Sequence, residues 1–320
     1  MACYCSIVIP TRNRPDHLCR TLTSLAIQKY DQRDYEVIII DNGSTDETRA
    51  VCQDFLNRFK NFIYFYEKKP GLHVCRNAGL KKSEGQILVY ADDDIQASQY
   101  WLEAIAAAFK DKDAMLVGGK CLPRFENQPP RWLMDMWQKR KADGQILPFL
   151  SLLDLGDSIK VISPYYVFGC NFSIRRQVLL EAGGFHPDAM PPDLIRYRGD
   201  GETHVSKFIS IKGYKTVYHP QASVYHYVSN ERMTEQYLFS RFYAQGISDS
   251  YTHIRNSGLR FHRAVLALRA FKHLPLFCFN RLQARAYKAY ISGYRFHQKE
   301  VRRDPELREW VNRENYLELR

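Results

Sequence analysis

Asp92, Asp93 and Asp94 stand in a row directly after the apolar run QILVYA (86–91). Adjacent carboxylates repel one another, and a cation or a set of hydrogen-bond donors must relieve the repulsion. A hard divalent ion does so through oxygen ligands and shares its shell with a substrate diphosphate. A helix N-terminus explains one such Asp through the dipole, but not a triplet. Asp41 closes a second apolar run, YEVIIID (35–41), where a carboxylate can accept a base N–H or a ribose hydroxyl. The stretch from Asp41 to Asp46 also reads as a turn and helix cap. Arg12, Arg14 and Arg76 offer donors for the phosphates of the same ligand. No G-x-x-x-x-G-K, G-x-G-x-x-G, G-x-S-x-G or H-E-x-x-H occurs. A simple ATPase, dehydrogenase, serine hydrolase or zincin is therefore disfavoured.

These residues need a scaffold, and the pattern supplies one. Short apolar runs at 5–10, 35–41, 62–67, 86–91 and 115–119 alternate with amphipathic stretches at about 15–26, 47–59, 75–80 and 100–109. Continuous apolar strands alternating with helices predict an α/β fold with a mostly parallel sheet covered on both faces. In such sheets ligands bind beyond the carboxyl ends of the strands, where Thr11–Arg14, Asp41–Ser44 and the triplet all fall. Residues 121–164 carry Pro123, Pro129, Pro130 and Pro148 and read as an excursion over the sheet. A strand over 168–174, helices over 177–182 and 202–212, and two short strands follow. The chain beyond Thr234 reads as helical.

The ordered set CSIVIPTRNRPDHLCRTLTSL, IIIDNGSTDET, GLHVCRNAG, ILVYADDDI, FGCNFSIRR and GGFHP…GDGETHVSKFISIKGYKTVYHPQASVYHYV resembles the family 2 glycosyltransferases over residues 5–246. The resemblance implies a GT-A fold with a Rossmann-like sheet, a nucleotide-diphospho-sugar donor, Mg²⁺ or Mn²⁺ at a DxD-type triplet, and inverting transfer. By position it assigns Pro10, Thr11, Arg12 and Asp41 to base and ribose, with Arg76 nearby. Asp92 and Asp93 fall on the nucleotide side and Asp93 or Asp94 is the main metal ligand. It places Asn171 and Arg175 beside the sugar, and His226 toward the metal or diphosphate.

The base departs from the family pattern. Relatives show Gly-Glu-Asp before the helix that ends at Gly-Tyr, whereas this chain reads Gly199-Asp200-Gly201-Glu202-Thr203-His204. Counting back from Gly213-Tyr214 puts Glu202 at the position of the base, with Asp200 in reserve; a first-turn helix carboxylate is the structural alternative for Glu202. Processive members carry Gln-x-x-Arg-Trp and membrane helices; the sequence shows neither, and a non-processive enzyme is expected. The acceptor is expected to be a glycan or lipid-linked hydroxyl in surface polysaccharide or glycoconjugate synthesis.

The charge divides the 320 residues. Lys and Arg total 46 against 35 Asp and Glu, giving +11, and residues 255–299 are basic with a single type of charge. This suggests a GT-A domain over 1–250 and a basic, aromatic-rich helical extension over 251–320. The extension either packs its aromatic face on the domain or docks on anionic lipid. With no secretory leader or membrane span in view, the expected location is cytoplasmic, peripheral to the inner face of the plasma membrane, with cysteines reduced. A nucleic-acid-binding role for the block leaves the Asp triplet unexplained, and no nucleic acid partner is expected. A sugar-phosphate nucleotidyltransferase would carry a Gly-rich basic loop where Thr11–Arg14 stand.

Overall fold

The structure, a computed structural model, describes residues 4–141, 143–259 and 281–317. Its central sheet uses β1 (Cys5–Thr11), β2 (Tyr35–Asp41), β3 (Phe62–Tyr66) and β4 (Ile87–Ala91), which run parallel in the order 4-1-2-3. Every residue of β1, β2 and β4 is buried. Alternate side chains feed two cores. Ile7, Ile9, Val37, Ile39 and Val89 pack under α1 (Pro15–Leu25), α2 (Thr48–Phe55) and a helix at Trp101–Ala108. Val8, Ile38, Ile40, Leu88 and Tyr90 pack under α3 (Leu72–Lys82) and helices at Arg176–Glu181 and Glu202–Lys212. The continuous apolar runs are the signature of this two-sided burial.

After the triplet the chain leaves the sheet. β5 (Ile95–Ala97), β7 (Cys121–Phe125) and four later strands form a second sheet. β6 (Ala114–Gly118) returns to the first, following α4 (Trp101–Ala108). The Pro-rich stretch is thus an excursion, as expected, but an ordered one. It holds α5 (Arg131–Gln138), β8 (Arg140–Lys141), β9 (Gly144–Leu147) and β10 (Leu152–Asp154) over their own core of Leu133, Trp137, Leu147 and Leu152.

Beyond the edge strand β11 (Lys160–Val161), the run expected at 168–174 is β12 (Asn171–Arg175), inserted antiparallel between β4 and β6. α6 (Arg176–Glu181) and α7 (Glu202–Lys212) follow. The next two strands part company. β13 (Lys215–Tyr218) joins the central sheet, whereas β14 (Val224–Val228) runs between β5 and β7 in the second.

The C-terminal helices close over this frame. α8 (Glu235–Ser257) crosses α9 (Arg281–Arg303) where Gly246 and Gly293 each lie against the other helix's backbone, leaving no room for a side chain. α10 (Pro305–Asn312) starts with Pro at its first position and Asp304 accepting from Glu306 N and Leu307 N, a strong helix start. The expected boundary at 250 falls inside unbroken α8. On α9 Tyr287, Tyr290 and Tyr294 are buried while Arg281, Arg285, Lys288, Arg295 and Lys299 are exposed. This is the packing face and basic face foreseen for the block; its residues 260–280 lie outside the described residues. No described helix is long and apolar enough to cross a membrane.

Burial in these cores has a pH signature. It depresses His73, His204 and His297 to about 4. Unfolding returns each to about 6.5, so the unfolded chain binds more protons between these values. The contribution of these three is therefore full above pH 6.5 and falls toward pH 4, by up to about 1.4 kcal/mol per pH unit for each histidine, and it outweighs the opposite contributions of the raised His226 and Asp93. Urea melts at pH 7.5 and 5.0 check this; equal midpoints would contradict it.

Candidate active site at the carboxyl edge of the central sheet

Parallel pairing sets Thr11 of β1 beside Asp41 of β2, and the triplet leaves β4 next to them. The loop after β1 is pinned across the edge. Asn13, left-handed at φ 52, takes the N–H of Thr45 on its side chain and gives its own N–H to Ser44 Oγ, at 2.8 and 2.9 Å. Asn is one of the residues that tolerates this conformation. A cleft of about 320 Å³ opens here, lined among others by Pro10, Thr11, Arg12, Arg14, Asn42, the triplet, Met190 and Arg232. Asp41 itself is 1% exposed, accepting from Ser44 N and Tyr64 Oη. It closes the turn foreseen for this stretch and caps no helix, and Asn42 lines the cleft beside it.

The three aspartates diverge. Asp93 turns toward β1, accepting from Thr11 Oγ1 at 2.8 Å and pairing with Arg14 at 2.6 Å. Asp94 faces the other way and is ringed by Arg14 at 2.9 Å, Arg232 at 3.1 Å and His226 Nε2 at 3.2 Å. Burial alone would raise both carboxyls; for Asp94 the His226, Arg232 and Arg14 charges prevail and lower it, whereas Asp93 stays raised. Asp92 is partly open, with a 3.3 Å contact to Arg76.

β14 delivers His226. Its register sets His226 opposite Ile95, and Tyr227 N donates to the Asp94 carbonyl. His226 Nδ1 lies 2.9 Å from the Leu150 carbonyl, which fixes the ring with Nε2 toward Asp94, the kind of support that metal-ligating imidazoles receive. Burial opposes a charge on the ring, yet Asp94 raises it to about 9. One atom each of Asp92, Asp94 and His226 lies within 4.8 Å of the others, and Asp94 Oδ1 is buried without a well-aligned donor. Two carboxylates and one imidazole around such an atom suit a divalent cation. The structure brings Asp94 and His226 of the expected ligand set together with Asp92, while Asp93 is turned toward Thr11 and Arg14.

Behind the triplet lies a chamber of about 160 Å³ lined by Arg76, Asp92, Gly169, Glu202, His226, Arg232 and Arg241, among others. Gly201, at φ +53, makes the turn that starts α7 at Glu202. Glu202 Oε2 pairs with Arg76 at 2.8 Å and Oε1 accepts from Gly169 N at 3.1 Å. The missing side chain of Gly169 leaves space for the Arg76 guanidinium, which is 2% exposed. Arg76 thus serves carboxylates, where a phosphate role was expected.

Asp200 is turned away from the chamber. Its oxygens bind His186 Nδ1 at 2.7 Å and Thr252 Oγ1 at 2.8 Å; burial would raise it, but these bonds lower it. Asn171 holds Trp101 Nε1 and the Lys120 and Ala222 carbonyls, buried to 1%, and joins the sheets. Arg175 sits opposite Ile87, at the far end of β12. At about 3.4 Å per residue that is roughly 13 Å from Asn171. Its guanidinium binds the carbonyls of Phe109, Asp111 and Ala114, so the structure does not bring it to the site. Arg232 and Arg241 went unseen in the sequence. They sit in a short turn and on an aromatic-rich helix with no motif around them.

Residues 6–182 match the protein-family model "Glycosyl transferase family 2". The chain is 32% identical over 117 residues to "Glycosyltransferase AglE" of Haloferax volcanii, covering 36% of this chain and 38% of that protein. It is 23% identical over 261 residues to "Glucosyl-dolichyl phosphate glucuronosyltransferase" of the same organism, covering 76% and 75%. It spans between 23% and 38% of the length of the first three curated relatives. Among solved structures, the mannosyltransferase PcManGT from Pyrobaculum calidifontis, in complex with GDP-Man and Mn²⁺, superposes with a TM-score of 0.56 at 18% identity, over 92% of this chain and 87% of that one. With more than half of its length matched, the chain belongs to glycosyl transferase family 2. Its fold is of the GT-A type shared with that structure.

Proposed function

We propose that the protein moves a sugar, with inversion, from a nucleotide-diphospho-sugar to a hydroxyl of a glycan or lipid-linked acceptor. The reaction depends on Mg²⁺ or Mn²⁺ and serves surface polysaccharide or glycoconjugate synthesis. The observation that carries this reading is a single chamber lined by Glu202, Asp92 and His226, with Asp94 beside the latter two. Arg12 and Asn42 border the cleft for the nucleotide, and Arg14 braces Asp93 and Asp94. A divalent ion on the trio would supply charge stabilisation for the leaving diphosphate. Glu202, oriented by Arg76 and Gly169 N, accepts the proton of the acceptor hydroxyl as its oxygen attacks the anomeric carbon. Arg232, which lines both cleft and chamber, supplies a cation beside the departing phosphates.

A thermal-shift screen with UDP, GDP and dTDP, each with and without Mn²⁺ or Mg²⁺, tests the reading. At least one nucleotide is expected to raise the melting temperature in a metal-dependent way, as RT ln(1 + [L]/Kd) requires of a ligand that binds the folded state. No stabilisation by any of them counts decisively against it.

A further inference from the structure

The chamber does not end at Glu202. Arg241, on α8, and Phe149 line it and also line a neighbouring groove of about 480 Å³. That groove is walled by Ile146, Leu147 and Phe242, with exposed Lys139 on its rim. Chamber and groove are therefore neighbours that share Arg241 and Phe149 as their common border.

Arg241 differs from its neighbours. Arg76, Arg198 and Arg232 each bind a carboxylate, at 2.8, 2.6 and 3.1 Å. Arg241 has no hydrogen bond or ion pair among the described residues, and its Nε is buried without a partner. A buried donor left without an acceptor costs about 1–3 kcal/mol. The charge is also held near Arg198, whose pKa is lowered by burial and by Arg241 against the pull of Asp188. Arg241 shares the field of buried Asp188 with Arg198 and Arg76 but bonds no described carboxylate, and it borders the chamber on one side and the apolar groove on the other.

A planar guanidinium of this kind binds an oxyanion through paired N–H groups. Apolar walls favour a hydrocarbon chain, by about 25 cal/mol for each Å² removed from water. Resting on the transferase reading above, we propose that the acceptor is a phosphate-bearing lipid. Its reacting hydroxyl lies at Glu202, its phosphate on Arg241, and the first part of its chain along Leu147, Phe149 and Phe242. The shared position of Arg241 fixes this order: a molecule reaching from Glu202 into the groove passes the cation before it meets the apolar walls.

The test uses the full chain, saturated with Mn²⁺ and whichever of UDP, GDP or dTDP protects it, so that the donor's phosphate site is filled. Calorimetric titration then compares dodecyl phosphate, dodecyl maltoside and inorganic phosphate, each below any micelle-forming concentration. Dodecyl phosphate is expected to bind one per chain, about tenfold or more tighter than either control, equivalent to 1.4 kcal/mol or more. Arg241→Gln should bring it down to the dodecyl maltoside level, and Phe242→Ser should bring it down to the inorganic phosphate level. Both variants should retain nucleotide protection, which shows that they are folded. If Arg241→Gln does not fold, the wild-type comparison and Phe242→Ser decide. Equal binding of dodecyl phosphate and inorganic phosphate, or an unchanged Arg241→Gln, overturns the acceptor assignment alone. Absence of any nucleotide protection overturns the transferase reading and this inference with it.

Discussion

Glu202→Gln is expected to lower turnover by about 10²–10⁴, the range for loss of a positioned general base, while leaving metal-dependent nucleotide protection in place. The geometry supports this split. Glu202 lies in the chamber, whereas the cleft lined by Pro10, Thr11, Arg12 and Asn42 does not include it. The amide keeps one oxygen for either Arg76 or Gly169 N but turns an N–H toward the other donor. A stability loss of about 1–3 kcal/mol accompanies the change and is measured separately by urea melts. Asp200→Asn provides the contrast. It weakens the bonds to His186 and Thr252 at a site turned away from the chamber, so its main effect falls on stability. Retained turnover in Glu202→Gln, measured by nucleoside diphosphate release, would remove that residue from the role of base.

The second large effect concerns the acidic trio. Asp92→Asn and Asp94→Asn should each abolish the part of nucleotide protection that depends on metal. Removal of a direct ligand costs no less than the about 10–100-fold that loss of a supporting group does. The two variants should differ in the free protein. Asp92 is partly open, with one long contact to Arg76, so its neutralisation leaves the melting temperature nearly unchanged. Asp94 balances Arg14, Arg232 and His226 at full burial. Its neutralisation leaves those cations uncompensated, and breaking a buried pair in this way costs about 3–5 kcal/mol. Manganese binding followed by electron paramagnetic resonance reads the first effect, and thermal melts without ligand read the second. Normal manganese affinity in Asp92→Asn would take Asp92 out of the trio.

The parts of this site that were legible in the sequence are those whose meaning is local. β1, β2 and β4 announce themselves because two-sided burial requires an unbroken apolar run. The helix at Glu202 follows from its C-terminal Gly213, left-handed at φ 66, a common helix stop. Counting back from that glycine located Glu202. The triplet was legible for the same reason, standing just beyond a recognisable strand, whereas His226 was singled out by the family resemblance alone.

What the sequence did not disclose is where side chains from distant segments spend their hydrogen bonds. Arg76 and Arg175 look alike as basic residues near motifs, yet one reaches Glu202 and the other caps carbonyls at the opposite end of the sheet. The antiparallel course of β12 decides the fate of Arg175, and strand direction has no signature in its five residues. Asp93 turns toward Thr11 and Arg14 while Asp92 lies near Asp94 and His226, because a turn, and not a strand, sets the direction of each. The second sheet was hidden because its strands are two to five residues long and β14 meets β5 and β7 across long separations.

The acidic triplet is also where distant stretches of chain converge. Thr11 meets Asp93 across 82 positions, and Arg76 meets Glu202 across 126. Contacts of such separation pay their loop-closure entropy late and slow the search for the native state. Cleft and chamber together draw on residues from Pro10 to Arg241, so no shorter segment forms both. Recovery of the proposed nucleotide binding after unfolding is therefore expected to report on that whole span, and a ligand bound there would stabilise the finished chain.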